Sequence, residues 1–300
     1  MPDFGRLLTA MVTPFAPDGS VDYDAAKRLA LALLDSGSDG LVVAGTTGEA
    51  PTLTHDEKLR LFAEVKAAVG ERGSVVAGTG TNNTAESIDL TREAERTGVD
   101  GVLLTCPYYN KPTQEGMLRH FTAIAAATRL PCIFYNIPSR TGVNMTAETQ
   151  LRLSQIDNIA GVKEASGDFE QIGRITKGAA KGFRVWSGND EDTLGILQIG
   201  GYGVISVISH LVGRQVRDMI EDQVAGRTEE AEQTHKRLVP LIEALFLVSN
   251  PIPVKYALAQ LGVPVGGLRL PMCEPDEATA ARIMAEVRRH QIDLPVAAKV

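Results

Sequence analysis

The chain has 300 residues, 44% of them hydrophobic and 22% charged, a balance that supplies a large core and excludes a disordered chain. Its 30 basic and 37 acidic residues leave a net charge of -7 with no basic run of the kind that tracks phosphates, so nucleic acid is not an expected partner. No apolar stretch reaches the roughly 20 residues of a membrane span, and the opening Met1-Pro2-Asp3-Phe4 lacks the features of a signal peptide; a cytoplasmic protein with no membrane partner is expected.

Residues 7–13 form a compact apolar run stopped by Pro14, and an amphipathic segment follows over 23–34, which reads as a strand and then a helix. The unit repeats. Residues 40–44 are the second strand, and Thr54 and Glu57 make a capping box ahead of a helix whose apolar face carries Leu59, Leu61, Phe62 and Val65. Strands at 74–77, 102–105 and 132–135 are followed by helices at 85–96, 113–128 and 147–154. The sixth strand is the run Ile159-Ala160-Gly161-Val162-Lys163, with Lys163 at its end. A seventh covers 183–186 and an eighth 204–207, separated by a helix over 192–197.

Most of these strands are solidly apolar instead of alternating, which indicates a parallel sheet covered on both faces. Eight of them interleaved with helices predict an α/β protein, a (β/α)8 TIM barrel. From residue 211 the pattern is helical throughout, at 216–224, 229–248, 253–261 and 277–289. The expected division is a catalytic barrel core over 1–210, with the last barrel helix and a C-terminal helical extension over 211–300.

Cys106, Cys132 and Cys273 show no C-x-x-C spacing, and His55, His120, His210, His235 and His290 stand far apart. Neither a disulfide framework, a metal site nor a cofactor is expected.

Reactive groups in such a barrel project from the C-terminal strand ends and the loops after them. Lys163 lies there. Burial among apolar neighbours disfavours an ammonium, and the neutral amine that results attacks ketones to form a Schiff base; the competing reading is a lysine that snorkels to water. Gly45-Thr46-Thr47-Gly48-Glu49 after the second strand suits a carboxylate-binding nest or simply a tight turn. Tyr108-Tyr109 sits between Pro107 and Pro112 after the fourth strand, a placement more usual for an interface. Tyr135-Asn136-Ile137-Pro138-Ser139-Arg140 puts a phenol and a guanidinium in one loop, for proton relay and carboxylate clamping or for a surface ion pair. Gly200-Gly201-Tyr202-Gly203 precedes the eighth strand, which disfavours a phosphate-binding sugar enzyme.

From Leu8-Thr9-Ala10-Met11-Val12-Thr13-Pro14-Phe15, through Gly161-Val162-Lys163-Glu164-Ala165-Ser166, to Asn250-Pro251-Ile252-Pro253-Val254-Lys255, the chain resembles the 4-hydroxy-tetrahydrodipicolinate (dihydrodipicolinate) synthases, within the class I pyruvate-dependent aldolases that include N-acetylneuraminate lyase. The resemblance implies condensation of pyruvate with L-aspartate 4-semialdehyde in lysine (diaminopimelate) biosynthesis. It implies that Lys163 forms the imine, that Thr47 holds the pyruvate carboxylate, and that Tyr135 moves protons through Thr46 to Tyr109 of a neighbouring subunit. Arg140 would take the semialdehyde carboxylate, and the main chain of Gly188 and Ile205 would line the pyruvate end. Sialic-acid-type lyases share the lysine but usually show Gly-Ser-Thr-Gly-Glu and lack the arginine, so Thr46 and Arg140 favour the synthase. The alternatives are another aldolase of this kind or a non-catalytic keto-acid-binding relative.

A homotetramer, a dimer of dimers, is also implied, as is a regulatory lysine site matching Ala50, His55, Lys58, Asn82, Glu86 and Tyr108. Lys58 replaces a histidine or acid of many sensitive relatives, and Pro51 is a further difference. A cation there repels a ligand's ammonium group, so weak or absent lysine inhibition is expected.

Overall fold

The computed structural model describes residues 3–295; residues 1–2 of the expected barrel segment and 296–300 of the expected extension lie outside it. The strands β1 Leu7–Ala10, β2 Gly40–Val43, β3 Ser74–Gly78, β4 Gly101–Thr105, β5 Cys132–Asn136, β6 Ile159–Glu164, β7 Arg184–Ser187 and β8 Gly203–Ser206 form one closed parallel barrel in sequence order. Closure is made by β1, which pairs with β2 on one side and β8 on the other. The chain therefore has a (β/α)8 barrel fold.

Around the strands run α1 Tyr23–Asp35, α2 His55–Val69, α3 Thr84–Arg96, α4 Gln114–Ala125, the single turn α5 Pro138–Thr141, α6 Ala147–Leu153, α7 Phe169–Gly178, α8 Thr193–Gln198 and α9 Ser209–Val224. Helices α10 Thr228–Leu245, α11 Ile252–Gln260 and α12 Glu277–Val287 follow. The helices start where a short polar side chain can take up free backbone donors. Asp22, Asn83, Thr113 and Asp168 each accept from the first turn of the helix they precede, and Thr54 with Glu57 forms the reciprocal capping box expected for α2.

Two cores result, because each strand sends alternate side chains to opposite faces. The larger lies between strands and helices and includes Leu41, Val43, Val75 and Val162. The smaller fills the barrel, with Phe4, Leu8, Val42, Ile133, Trp186 and Ile205. Phe4 and Tyr202 pack against Trp186 at centroid distances of 6.4 and 5.3 Å, and the indole Nε1 donates to the Gly5 carbonyl at 3.0 Å. Gly161 makes this packing possible: a Cβ there would stand 2.1 Å from the Arg184 carbonyl oxygen and 2.7 Å from the Trp186 ring.

Several sequence readings meet a different local structure. The apolar run 7–13 leaves the ladder after Ala10, although Met11 to Thr13 remain buried, and Val12 N–H turns to His210 Nε2 at 3.1 Å. Helices α5 and α7 are additional; in α7, Ile172 and Ile175 mark a buried face short enough to be hidden among glycines. Strand β6 runs one residue past Lys163, to Glu164. The expected segment boundary at 210–211 falls inside α9, near its non-helical residue Val212. Among the described residues no helix is long and apolar enough to cross a membrane.

Candidate active site

The barrel's pleat decides which groups meet. Tyr135 and Lys163 are register partners on β5 and β6, and Lys163 pairs in turn with Trp186 on β7. Tyr135 and Trp186 belong to the barrel interior, and Lys163 Nζ lies 4.3 Å from the centre of the Tyr135 ring. Lys163 is only 5% exposed. Burial draws its amine down from an ordinary 10.5 to about 8; the Asp190 carboxylate opposes that shift and the Arg140 guanidinium adds to it. Burial likewise raises the Tyr135 phenol, with Arg140 lowering it and Glu164 raising it. The pair is thus a readily neutralised amine beside a phenol that keeps its proton.

Glu164 and Asn136 take the opposite faces of the same two strands, toward α6. The Glu164 carboxylate accepts from Gln150 Nε2 at 2.7 Å, Ser166 N–H at 2.9 Å and Asn136 Nδ2 at 3.0 Å, while Asn136 Oδ1 accepts from Met145 N–H at 2.9 Å. These bonds brace β5 against β6 directly behind Tyr135 and Lys163. Asp190, fully enclosed at the end of β7, accepts from Val207 and Ile208 N–H at 2.9 and 3.1 Å and fixes the turn after β8. Beside it Gly188 donates its N–H to the Glu164 carbonyl at 2.7 Å, and a Cβ on Gly188 would lie 3.2 Å from Lys163 Cγ. Ile205, buried on β8, completes this end of the barrel.

The loop Gly45–Glu49 after β2 is tied down from several sides. Thr13 Oγ1 donates to the Gly48 carbonyl at 2.6 Å, and Asn250 Nδ2 donates to Thr47 Oγ1 at 2.8 Å. Glu49 adopts a left-handed backbone with φ of 55° and forms an enclosed ion pair with Lys255, Nζ to Oε1 2.6 Å; its other oxygen accepts from Arg269 N–H at 3.0 Å. A non-glycine residue in that backbone region is costly and is retained where surrounding contacts over-determine it. The Arg269 guanidinium continues the clamp, donating to both Glu57 oxygens at 2.8 and 2.6 Å and lying 4.4 Å from the Phe15 ring centre.

A cavity of about 230 Å³ opens above the strands, lined by Thr46, Thr105, Tyr108, Ile137, Arg140 and Lys58 among others. Lys163 is not part of its wall. Arg140 is exposed on this rim, and its Nη2 donates to the Asn250 carbonyl at 3.1 Å. The structure thus brings Lys163, Tyr135, Gly188 and Ile205 together inside the barrel, with Thr46, Thr47 and Arg140 around its mouth. Tyr109 stands apart: its side chain is 89% exposed on a backbone with φ of 71°, so within one chain it does not meet Tyr135.

Of the expected regulatory residues, Ala50, Lys58 and Tyr108 share the cavity wall, and Asn82 Nδ2 donates to the Tyr108 carbonyl at 3.2 Å. Burial lowers the Lys58 amine while Glu86 raises it. His55 faces outward, 3.1 Å from Glu93. Among the described residues no group of three or more His, Cys, Asp and Glu side chains is placed to hold a metal ion. Sequence reasoning missed Asn250, Asp190, Glu164 and the Glu49–Lys255 pair. Their common signal, a buried polar group with designed partners, exists only once the chain is folded.

Comparison with known proteins agrees with this geometry. The chain is 61% identical over 296 residues to a 4-hydroxy-tetrahydrodipicolinate synthase of Dehalococcoides mccartyi, covering 99% of this chain and 100% of that one. A crystal structure of a dihydrodipicolinate synthase from Bacillus anthracis superposes with a TM-score of 0.95 at 43% identity, covering 97% of this chain and 99% of the other. One from Cyanidioschyzon merolae, solved with lysine bound, gives 0.93 at 48% identity, covering 94% and 97%. The sequence profile of the dihydrodipicolinate synthetase family matches residues 3–290, and the chain belongs to that family.

Proposed function

We infer that this chain is a 4-hydroxy-tetrahydrodipicolinate synthase, a lyase that condenses pyruvate with L-aspartate 4-semialdehyde through a Schiff base on a lysine, in the diaminopimelate route to lysine. The observation that carries the reading is a lysine enclosed at the end of β6, with its amine drawn to about 8, in register with a protonated phenol.

In the proposed mechanism neutral Lys163 attacks the keto carbon of pyruvate. Tyr135 supplies the proton with which the former keto oxygen leaves as water, giving the imine. Loss of a methyl proton then yields an enamine, which adds to the aldehyde carbon of the semialdehyde. The semialdehyde's amino group attacks the imine carbon, closing the ring and expelling Lys163. Thr47 and neighbouring amides hold the pyruvate carboxylate, and the main chain of Gly188 and Ile205 lines the pyruvate end. Arg140 takes the second substrate's carboxylate at the rim, where a charge-assisted pair adds orientation as well as affinity.

Tyr109 is assigned to a hydroxyl relay with Thr46 and Tyr135 of a neighbouring copy, within a homotetramer; its 89% exposure supports a role met only on assembly. Ala50, His55, Asn82, Glu86 and Tyr108 are assigned to a regulatory lysine site in which Lys58 weakens binding.

The test is intact mass after borohydride reduction with pyruvate, followed by peptide mapping and an assay with L-aspartate 4-semialdehyde. A pyruvate adduct on Lys163 together with consumption of the semialdehyde is expected. An adduct without consumption would move the chain to another aldolase activity, and no adduct would remove the Schiff base.

A further inference from the structure

Asn250 lies between α10 and α11, far in sequence from the groups it touches, and is 6% exposed. Its side-chain Nδ2 donates to Thr47 Oγ1 at 2.8 Å, and its main-chain carbonyl accepts from Arg140 Nη2 at 3.1 Å. Both partners are the groups assigned above to substrate carboxylates. Its Oδ1 is buried and has no partner.

A hydroxyl has one proton to give and lone pairs to accept with. Because the Asn250 amide donates into Thr47 Oγ1, the threonine proton stays free for a carboxylate. Turned over, the same amide would accept that proton and leave Thr47 with nothing to donate. A buried acceptor without a partner is costly, and here the unpaired Oδ1 accompanies the amide orientation that keeps Thr47 a donor. We propose that Asn250 is a positioning residue: its amide sets Thr47 as the hydrogen-bond donor to the keto-acid carboxylate, and its carbonyl holds the Arg140 guanidinium at the rim.

The rest of the loop is fixed independently of Asn250. Thr13 holds Gly48, and Lys255 and Arg269 hold Glu49. Removing the Asn250 side chain therefore alters the polarity of one hydroxyl and leaves the loop in place. The Arg140 contact runs to the main chain, so side-chain substitution spares it. The two substrates should respond differently.

This inference rests on the synthase reading, and the experiment separates the two. Pyruvate adduct formation in the unaltered enzyme is measured first; its absence overturns the reading and this inference together. With an adduct present, KM for each substrate is compared in Asn250→Ala, Asn250→Asp, Thr47→Val and the two double variants that combine them. Asn250→Ala should raise the pyruvate KM about tenfold, the scale of one hydrogen bond. Asn250→Asp keeps the shape but takes the Thr47 proton, and should raise it at least as far. Asn250→Ala should not move the semialdehyde KM by more than about twofold, and in the Thr47→Val background it should lose its effect on pyruvate, because residues acting through one another are not additive. Additive effects, or an equal rise in both KM values, would overturn the assignment. If Asn250→Ala fails to fold, Asn250→Leu, which keeps the volume with neither a donor nor a charge, carries the same comparison in the two backgrounds.

Discussion

Replacing Lys163 with methionine should abolish turnover and stabilise the protein. The argument is one of linkage. Burial lowers the amine from 10.5 to about 8, so between those values the unfolded chain binds a proton that the folded chain releases. Stability consequently rises with pH across that window, and below pH 8 the folded state bears the full cost of enclosing the ammonium. At 1.36 kcal/mol per tenfold change, that cost is about 3 kcal/mol at pH 7 and falls to about 1 kcal/mol at pH 10. Methionine fills similar space with no charge to bury. Chemical denaturation of both proteins at matched concentration, at pH 7 and pH 10, would measure the gain; other titrating groups cancel in the difference. A gain that is absent at pH 7, or equal at the two pH values, would refute the claim that the site holds its nucleophile at the expense of the fold.

Arg140→Ala should lower kcat/KM for the semialdehyde roughly ten- to hundredfold, the range for a hydrogen bond to a charged group; steady-state kinetics check this, with borohydride trapping of pyruvate unchanged. In the same assay millimolar lysine should inhibit weakly or not at all, and Lys58→His should increase the inhibition if the half-buried ammonium is what repels the ligand. Lys255→Met should destabilise by about 3–5 kcal/mol, since it strands the enclosed Glu49 carboxylate; adding Glu49→Gln should recover part of the loss in a denaturant titration. Acid should weaken the Arg269–Glu57 clamp. Glu57 titrates at about 2 when folded against 4.5 ordinarily, so its contribution is complete above pH 4.5 and fades as pH falls toward 2. Glu57→Gln should flatten that limb of the thermal stability profile.

The eight-strand order was legible because enclosure on both faces writes each strand as a continuous apolar run, and Lys163 was conspicuous as the charge ending one of them. Where apolarity did not coincide with the ladder the reading slipped. Met11 to Thr13 are as buried as β1, and Met11 N–H still reaches the Val42 carbonyl on β2, but Val12 N–H turns to His210 and Thr13 Oγ1 to the Gly48 carbonyl. Helix α7 commits too few side chains to the core to show a period. At the site, Thr46, Thr47, Tyr135 and Arg140 drew notice by residue type but took roles only from the family resemblance; Tyr135 lies on a strand, β5, and Arg140 sits in the turn α5. Asn250 drew none, because an amide in a proline-flanked loop looks like a turn former until folding brings it 2.8 Å from a threonine 203 positions away. Lys255 belonged to a segment that carried the family resemblance, yet its partner Glu49 is equally remote in sequence.

Phe4 and Tyr202 precede β1 and β8, and their tilted and edge-on contacts with Trp186 fill the barrel toward the N-terminal ends of its strands. A vessel stoppered at its base has one door, and that governs the order of traffic. With Lys163 and Arg140 in the roles proposed above, the keto acid has to be tethered first, because a second molecule seated near Arg140 would stand in its path. The finished ring has to leave by the same door before another keto acid can descend. On the roles proposed above, three aromatic rings at the far end of the barrel set an order of arrival, keto acid before semialdehyde.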